Sequence, residues 1–215
     1  MTTAQTINLL WELEREPPPF EGNDIKFPES LARHIIKTYT KKGDKVLDPF
    51  TGLGTTLFVA EELNRTPFGF ETDTDKHQWV AGQLEHWTHH IHDDAYNVPN
   101  YHLPKIDLLL TSPPYMPRHH KFNPLYNGDP QKAGYDCYLK RLAQIFKRIR
   151  PILKKNTPVI LHLDNLKHGT KFTPLVHDVA GALSKDYCLC DEIKIIWDNP
   201  KLDYLTTQYL VFKKR

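Results

Sequence analysis

Ser112, Pro113, Pro114 and Tyr115 follow the apolar run Leu108-Leu109-Leu110 across a single residue, Thr111. A short apolar run bounded by a proline pair predicts a buried parallel strand that stops abruptly. The prolines have no N–H and a fixed φ, so the turn is stiff. The carbonyls of Ser112 and Pro113 cannot all be taken up by local turn bonds, and the Ser112 hydroxyl adds a further acceptor. Tyr115 offers a flat face for stacking a base. Two acceptors and a ring form a grip for a planar, amine-bearing group such as cytosine or adenine. Taken alone, the stretch reads equally as an ordinary strand-ending proline turn with a packed tyrosine.

A second constellation lies upstream. Val46-Leu47-Asp48 predicts a strand, and Pro49-Phe50-Thr51-Gly52-Leu53-Gly54-Thr55-Thr56 a glycine turn opening a helix. Glycines at 52 and 54 let backbone approach a ligand closely, and Thr55 or Thr56 is placed to cap the helix. The helix N-terminus favours an anionic group. This is not a P-loop, since no Lys-Ser/Thr follows the second glycine. It is not the dinucleotide fingerprint either, because Leu57 stands where the third glycine belongs.

In this order, Asp48-Pro49-Phe50-Thr51-Gly52-Leu53-Gly54-Thr55-Thr56 and Thr111-Ser112-Pro113-Pro114-Tyr115 closely resemble the amino-methyltransferases that methylate exocyclic amines of DNA bases. The resemblance covers roughly positions 25 to 215. It implies S-adenosyl-L-methionine (AdoMet) as methyl donor. It also implies an α/β fold of the Rossmann-like class I methyltransferase type: a mostly parallel seven-stranded sheet with an antiparallel last hairpin and helices on both faces. In this family a Phe-Pro-x-x-Leu segment touches the methionine end of AdoMet, and Phe27 and Pro28 match it. Asp94, followed by Ala95, takes the position that accepts from the adenine amine, with Asp93 as the rival acid. Asp48, Pro49, Phe50, Thr51, Gly52, Gly54 and Thr55 complete the cofactor set.

Around these residues the chain orders its elements. Residues 1–24 are expected to form an N-terminal arm, with an amphipathic piece at Ile7–Leu13, a break at Pro17-Pro18-Pro19, and Trp11 and Phe20 packed over the domain, the alternative being a flap over cofactor or nucleic acid. Residues 25–215 are expected to form a single catalytic domain. Leu31, Ile35, Ile36 and Tyr39 line one stripe of its first helix. Glu71 closes the second strand roughly 20 residues after the glycine turn, where an acid accepts both ribose hydroxyls; the alternative is a surface Glu capping the next helix. That helix is expected from Thr74 to about His89, and Ile91–Ala95 as a short strand. Ile106–Leu110 then delivers the Ser-Pro-Pro-Tyr tip.

Positions 116–135 show no periodicity and interleave basic with aromatic residues, which suits phosphate tracking and base stacking. Arg118, Lys121, Phe122 and Tyr126 are the substrate-binding candidates in this loop. An amphipathic helix follows from Tyr138 through Ile149. Pro158–Leu163 reads as a strand with Asp164-Asn165 lining the pocket, Pro174–Leu183 as a helix, and Tyr187–Trp197 with Thr206–Phe212 as a closing hairpin turned at Asp198-Asn199-Pro200.

The bulk properties narrow the class. With 215 residues, 28 Lys+Arg and 26 Asp+Glu, the net charge is +2, so any nucleic-acid surface must be local. Three cysteines without a C-x-x-C pair fit a reduced compartment. No run approaches the roughly 18 apolar residues of a bilayer span, and a cytoplasmic protein is expected. Among 12 histidines, His86, His89, His90 and His92 invite a metal, but no Cys or acidic partner pattern accompanies them; solvated helix-end histidines and no metal are expected.

The chemistry expected is direct methyl transfer to an amine, most consistent with cytosine N4, since Ser before Pro-Pro-Tyr resembles that branch. Methylation of cytosine C5 would need a thiolate, and no cysteine here follows a proline. Two departures from the family pattern stand out: only loop 116–135 and the two ends have room for target recognition, and the motif order differs from the permuted one common among cytosine-N4 enzymes. Structured RNA such as rRNA is therefore the alternative substrate, followed by a catalytically silent AdoMet-binding subunit. A recognition subunit or a homodimer would be the partner.

Overall fold

The structure is a computed structural model that describes residues 5–12, 15, 18, 28–198 and 206–215. In chain order its elements are β1 (Gln5–Leu10), α1 (Glu29–Tyr39), β2 (Lys45–Asp48), α2 (Thr55–Glu62), β3 (Thr66–Glu71), α3 (Thr74–Ala81), β4 (His90–His92) and β5 (Leu108–Thr111). They continue with α4 (Tyr135–Ile149), β6 (Val159–Leu163), β7 (Leu166–His168), β8 (Lys171–Thr173), α5 (Leu175–Leu183), β9 (Tyr187–Asp198) and β10 (Thr206–Lys214). Eight strands form one sheet in the order β1-β9-β10-β6-β5-β2-β3-β4, and β7-β8 form a separate two-stranded ribbon. Within the large sheet only the pairings of β10 are antiparallel.

Alternation in the strands sets the two layers. In β5, Leu109 packs into a cluster with Tyr138, Leu142 and Phe146 of α4 and with Leu175 and Val179 of α5. Leu108 and Leu110 point to the other face, among Leu31, Ile35 and Ile36 of α1 and Val59 of α2. A strand covered on both faces has no polar side to show, which is why its sequence is a continuous apolar run.

The order places a switch point at the centre. From β2 the chain winds outward through β3 to β4, and from β5 outward the other way through β6. Carboxyl ends of strands that diverge in this manner leave a crevice above them. The glycine turn follows β2 and the Ser-Pro-Pro-Tyr tip follows β5, so both motifs open on that crevice.

Several expectations change. The sheet has eight strands rather than seven, because residues 5–10 are not laid over the domain but extend the sheet edge, Gln5 to Leu10 pairing parallel with Ile193 to Asp198. Trp11 then turns inward against Trp197, ring centroids 4.9 Å apart. The helix expected to reach His89 stops at Ala81, where Gly82 caps it, and His89 lies in a separate 3-10 turn. His90 is no solvated helix-end residue: it begins β4, is buried, and burial holds its imidazole down at about 3. Loop 116–135 carries two short 3-10 turns, at Pro124–Tyr126 and Pro130–Lys132. The β7–β8 ribbon had no counterpart in the sequence reading. Phe20, Phe27, Asn199 and Pro200 lie outside the described residues.

Candidate active-site cleft

Three devices hold the glycine turn. Asp48, at the end of β2, accepts through Oδ1 from the Phe50 N–H at 3.0 Å and is 2 % exposed. The Thr51 N–H donates to the Phe70 carbonyl at 3.0 Å, locking the turn to β3. Gly54 adopts φ +79, and a Cβ there would stand 2.7 Å from the Phe58 ring and 2.9 Å from Val80, so only glycine fits. Gly54 itself is the N-cap of α2; neither Thr55 nor Thr56, expected to cap, does so, since both lie within the helix and no side-chain cap is formed.

Glu71 closes β3 beside this turn. Its Oε2 accepts from the Gly52 N–H at 2.8 Å and its Oε1 from the Asp73 N–H at 2.9 Å. Burial pushes its carboxyl up, against those backbone donors and nearby Lys76. The helix-cap alternative falls to Asp73, whose Oδ1 accepts from the Asp75 and Lys76 N–H groups. A carboxylate offers about four acceptor positions, so Glu71 keeps capacity for a pair of hydroxyls after its two backbone bonds. Gly52, at φ +53, has no atom within 4 Å of where a Cβ would stand, which leaves its side of the turn open.

Past β4, Asp93 and Asp94 differ. Asp93 accepts from the Asp94 N–H, the Asn97 amide and the Tyr101 hydroxyl. Burial raises its pKa, but those donors prevail and hold it below the usual carboxylate range. Asp94 accepts from the Tyr96 N–H at 2.8 Å and from Arg141 at 2.5 Å. Arg141 reaches over from α4 and also lies 3.8 Å from the Tyr96 ring centroid.

The tip after β5 is tied directly to the glycine turn. The Thr111 hydroxyl donates to Asp48 Oδ1 at 2.6 Å, linking residues 63 positions apart. Burial drives Asp48 up to about 6 even with these donors in place. The Tyr115 hydroxyl donates to the His162 carbonyl at 3.2 Å and lies 3.4 Å from Ser112 Oγ, so the aromatic ring is pinned to the end of β6. His162 is held neutral by burial, its pKa lowered to about 4, and its Nε2 lies 3.1 Å from Thr207 Oγ1. Trp197 Nε1 donates to the same oxygen at 3.1 Å.

One cleft of about 1510 Å³ takes in both motifs. Pro49, Phe50, Thr51, Gly52, Thr55, Glu71, Asp94 and Ala95 line one part; Ser112, Pro113, Pro114, Tyr115, Phe122 and Tyr126 line the other. Asp164 and Asn165 line it as expected. Asp48, Gly54 and Pro28 do not reach its surface; Asp48 and Gly54 shape the turn from beneath, and Pro28 is the N-cap of α1. Arg118 and Lys121 do not line it either. The Arg118 guanidinium instead grips both carboxylate oxygens of Asp178 in α5, at 2.8 and 2.9 Å. Tyr126 has Lys132 and Arg141 within 4.7 and 4.8 Å of its ring centroid, so its aromatic face already has cationic partners.

Trp11, expected in the arm, reaches the cleft lining, and lining residues that the sequence reading passed over include His162 and Thr207 and the ribbon residues Leu166, Lys167 and His168. A signal for the ribbon exists: a Gly-Thr pair between two short runs is a hairpin turn pattern. For Thr207 and His162 no local signal exists, because only β10 pairing with β6 brings them together.

A sequence model of the family described as DNA methylase matches residues 3–81. Type II methyltransferase M.MjaI of Methanocaldococcus jannaschii is 40% identical over 67 residues, which are 30% of this chain and 22% of that protein. Type II methyltransferase M.SmaI of Serratia marcescens is 38% identical over 66 residues, 31% of this chain and 22% of that one. The matched segments thus span about a fifth of the length of these relatives. Among solved structures, TrmN from Thermus thermophilus shares the fold with a TM-score of 0.62 at 18% identity, over 87% of this chain and 49% of the other.

Proposed function

We propose that this chain, which belongs to the AdoMet-dependent amino-methyltransferase family of DNA methylases, methylates the exocyclic N4 amine of cytosine in DNA. The observation that carries the reading is the Thr111–Asp48 hydrogen bond, which fastens the Ser-Pro-Pro-Tyr tip to the glycine turn so that both face one cleft.

AdoMet supplies an electrophilic sulfonium methyl. The residues present fit it: Glu71 has acceptor capacity left for the ribose hydroxyls, Gly52 leaves open space beside it, and Asp94 and Ala95 line the far end. Pro49, Phe50, Thr51 and Thr55 complete that wall. Asp48 and Gly54 act through the shape of the turn.

An exocyclic amine conjugated to a ring is a poor nucleophile, because its lone pair is delocalised. Acceptors out of the ring plane, Ser112 Oγ and the Pro113 carbonyl, take its two N–H bonds and favour a tetrahedral nitrogen with a localised pair. Tyr115, pinned by its hydroxyl, stacks on the base and fixes its plane. The same acceptors stabilise positive charge developing on nitrogen, and the rest is near-attack positioning. In duplex DNA the base must first leave the stack, at a cost of a few kcal/mol.

The test is methyl transfer from labelled AdoMet to duplex DNA, single-stranded DNA and rRNA, followed by nucleoside identification. N4-methylcytosine in DNA is expected. N6-methyladenine would keep the amine mechanism and replace the base; label in rRNA alone would replace the substrate. No label in any of the three, with AdoMet bound, would overturn the reading.

A further inference from the structure

The β7–β8 ribbon stands at the mouth of the cleft on the β6 side. Three residues per strand are joined by Gly169-Thr170, with Gly169 at φ +57 in the first turn position. A two-stranded ribbon this small is marginal in water by itself. Here its inner face is anchored. Leu166 packs against the core, and buried Thr173 accepts from the Arg118 N–H at 2.9 Å. The Arg118–Asp178 pair then fixes that junction to α5, and His168 stacks on His119 with centroids 5.9 Å apart.

The outer face has no such use inside the fold. Lys167 and Phe172 are directly opposed in the register, so their side chains share that face. Both are exposed, Phe172 by 59 %. Phe122, exposed by 62 %, lines the cleft from the loop opposite, and Lys167 lines it from the ribbon, with Phe172 paired beside it just outside the lining. Two exposed aromatic rings, one in the cleft and one on the ribbon beside it, have the chemistry that receives unstacked bases.

Charge points the same way. Segments 117–122 and 165–173 contain Arg118, Lys121, Lys167 and Lys171, three histidines and no acid, in a chain whose net charge is only +2. Arg118 is neutralised by Asp178, whereas Lys121, Lys167 and Lys171 form no ion pair with a described residue. Desolvation, then the charges of Lys171, His120 and His168, lower the His119 pKa, which sets Lys171 close to that loop. Like charges gathered without a counter-charge favour a polyanion.

We propose that the β7–β8 ribbon, with loop 119–122, is a clamp for the DNA strand that carries the target base. Lys167 and Phe172 present its outer face, and exposed Lys171, paired with His168 on the other face, stands at the edge next to His119. Lys121, Lys167 and Lys171 meet its phosphates, and Phe172 stacks on a base neighbouring the one held at Tyr115. This rests on the reading of the cleft as a DNA amino-methyltransferase site and adds the surface that grips the strand.

The test is fluorescence anisotropy of the full chain against labelled single-stranded DNA, duplex DNA and RNA of one sequence, over a salt series. The proteins are the wild type, Lys167→Glu/Lys171→Glu, Lys167→Gln/Lys171→Gln and Phe172→Ala, each checked for its thermal shift with AdoMet. The charge reversal is expected to weaken DNA binding at least about tenfold, and losing two phosphate contacts to lower the salt slope by about 1.4 on a single strand or about 1.8 on duplex. Phe172→Ala is expected to weaken binding by about fivefold to a hundredfold and leave the slope unchanged. If the reversal costs the AdoMet shift, the glutamine pair decides. Unchanged affinity and slope with the AdoMet shift intact would overturn the clamp and leave the methyltransferase reading standing. Binding of RNA but not DNA would overturn the DNA assignment. A wild type that binds AdoMet yet neither binds nor methylates any of these polymers would overturn both.

Discussion

The two walls of the cleft are held together differently. On the wall after β2 and β3, the fixing contacts are short in sequence: Asp48 to Phe50 and Glu71 to Asp73 span two positions, and Gly52 to Glu71 spans 19. On the wall after β5 and β6 they are long. Tyr115 to His162 spans 47 positions, Arg118 to Thr173 spans 55, and Arg118 to Asp178 spans 60. The first wall is a backbone turn that a few glycines and acids specify locally. The second exists only when distant segments have docked. The Thr111–Asp48 hydrogen bond ties the tip to the glycine turn.

If this division is right, damage to one wall should leave the other's task intact. The largest effect is expected from Ser112→Ala, which removes one acceptor for the reacting amine: turnover should fall about 100-fold to 1,000-fold, by analogy with loss of one oxyanion-hole donor. AdoMet affinity by calorimetry should stay within about twofold. The mirror experiment is Glu71→Ala. Losing hydroxyl acceptance and the anchor of the Gly52 N–H should weaken AdoMet by about ten- to 100-fold in the same titration. At saturating AdoMet, nucleic-acid binding by anisotropy should be unaltered.

Thr111→Val keeps the shape and cuts the bridge between the walls. Asp48 then has one donor fewer in a buried site, and chemical denaturation should show a loss of about 1–3 kcal/mol. Methyl transfer should fall more than either binding step, since both walls remain but lose their mutual register.

A smaller effect lies in pH. The Asp48 carboxyl sits at about 6 in the folded chain against 3.8 for an ordinary aspartate, so the folded state holds the extra proton between those values. Its contribution to stability is therefore full below about pH 4 and lost as pH rises through 6. Asp48→Asn has no such titration. The stability difference between wild type and Asp48→Asn should move in favour of the variant by at most about 3 kcal/mol from pH 4 to pH 7, read by urea denaturation at each pH. A flat difference would mean that the tie stays ionised throughout.

The same contrast explains what the sequence disclosed. The glycine turn, Glu71 and the apolar strand behind Ser112 were legible because each is a local pattern: a turn, a strand end, a run covered on both faces. His162 and Thr207 were not, because they reach the cleft only through β10 beside β6. Arg118 was read as a substrate contact from its charge, yet that charge is taken by Asp178, which nothing near it in sequence announces. The arm at residues 5–10 was misjudged for a related reason: an edge strand is defined by the neighbour it pairs with. Gly169-Thr170 did carry a hairpin signal, in a stretch too short to show alternation.

The central claim, that the Ser-Pro-Pro-Tyr wall performs the chemistry and the glycine wall only holds the donor, is tested most directly on one protein. Ser112→Ala should be titrated with AdoMet and assayed on DNA in the same preparation. The account predicts cofactor affinity like that of the wild type and methyl transfer down by about 100-fold or more. Undiminished transfer would contradict it.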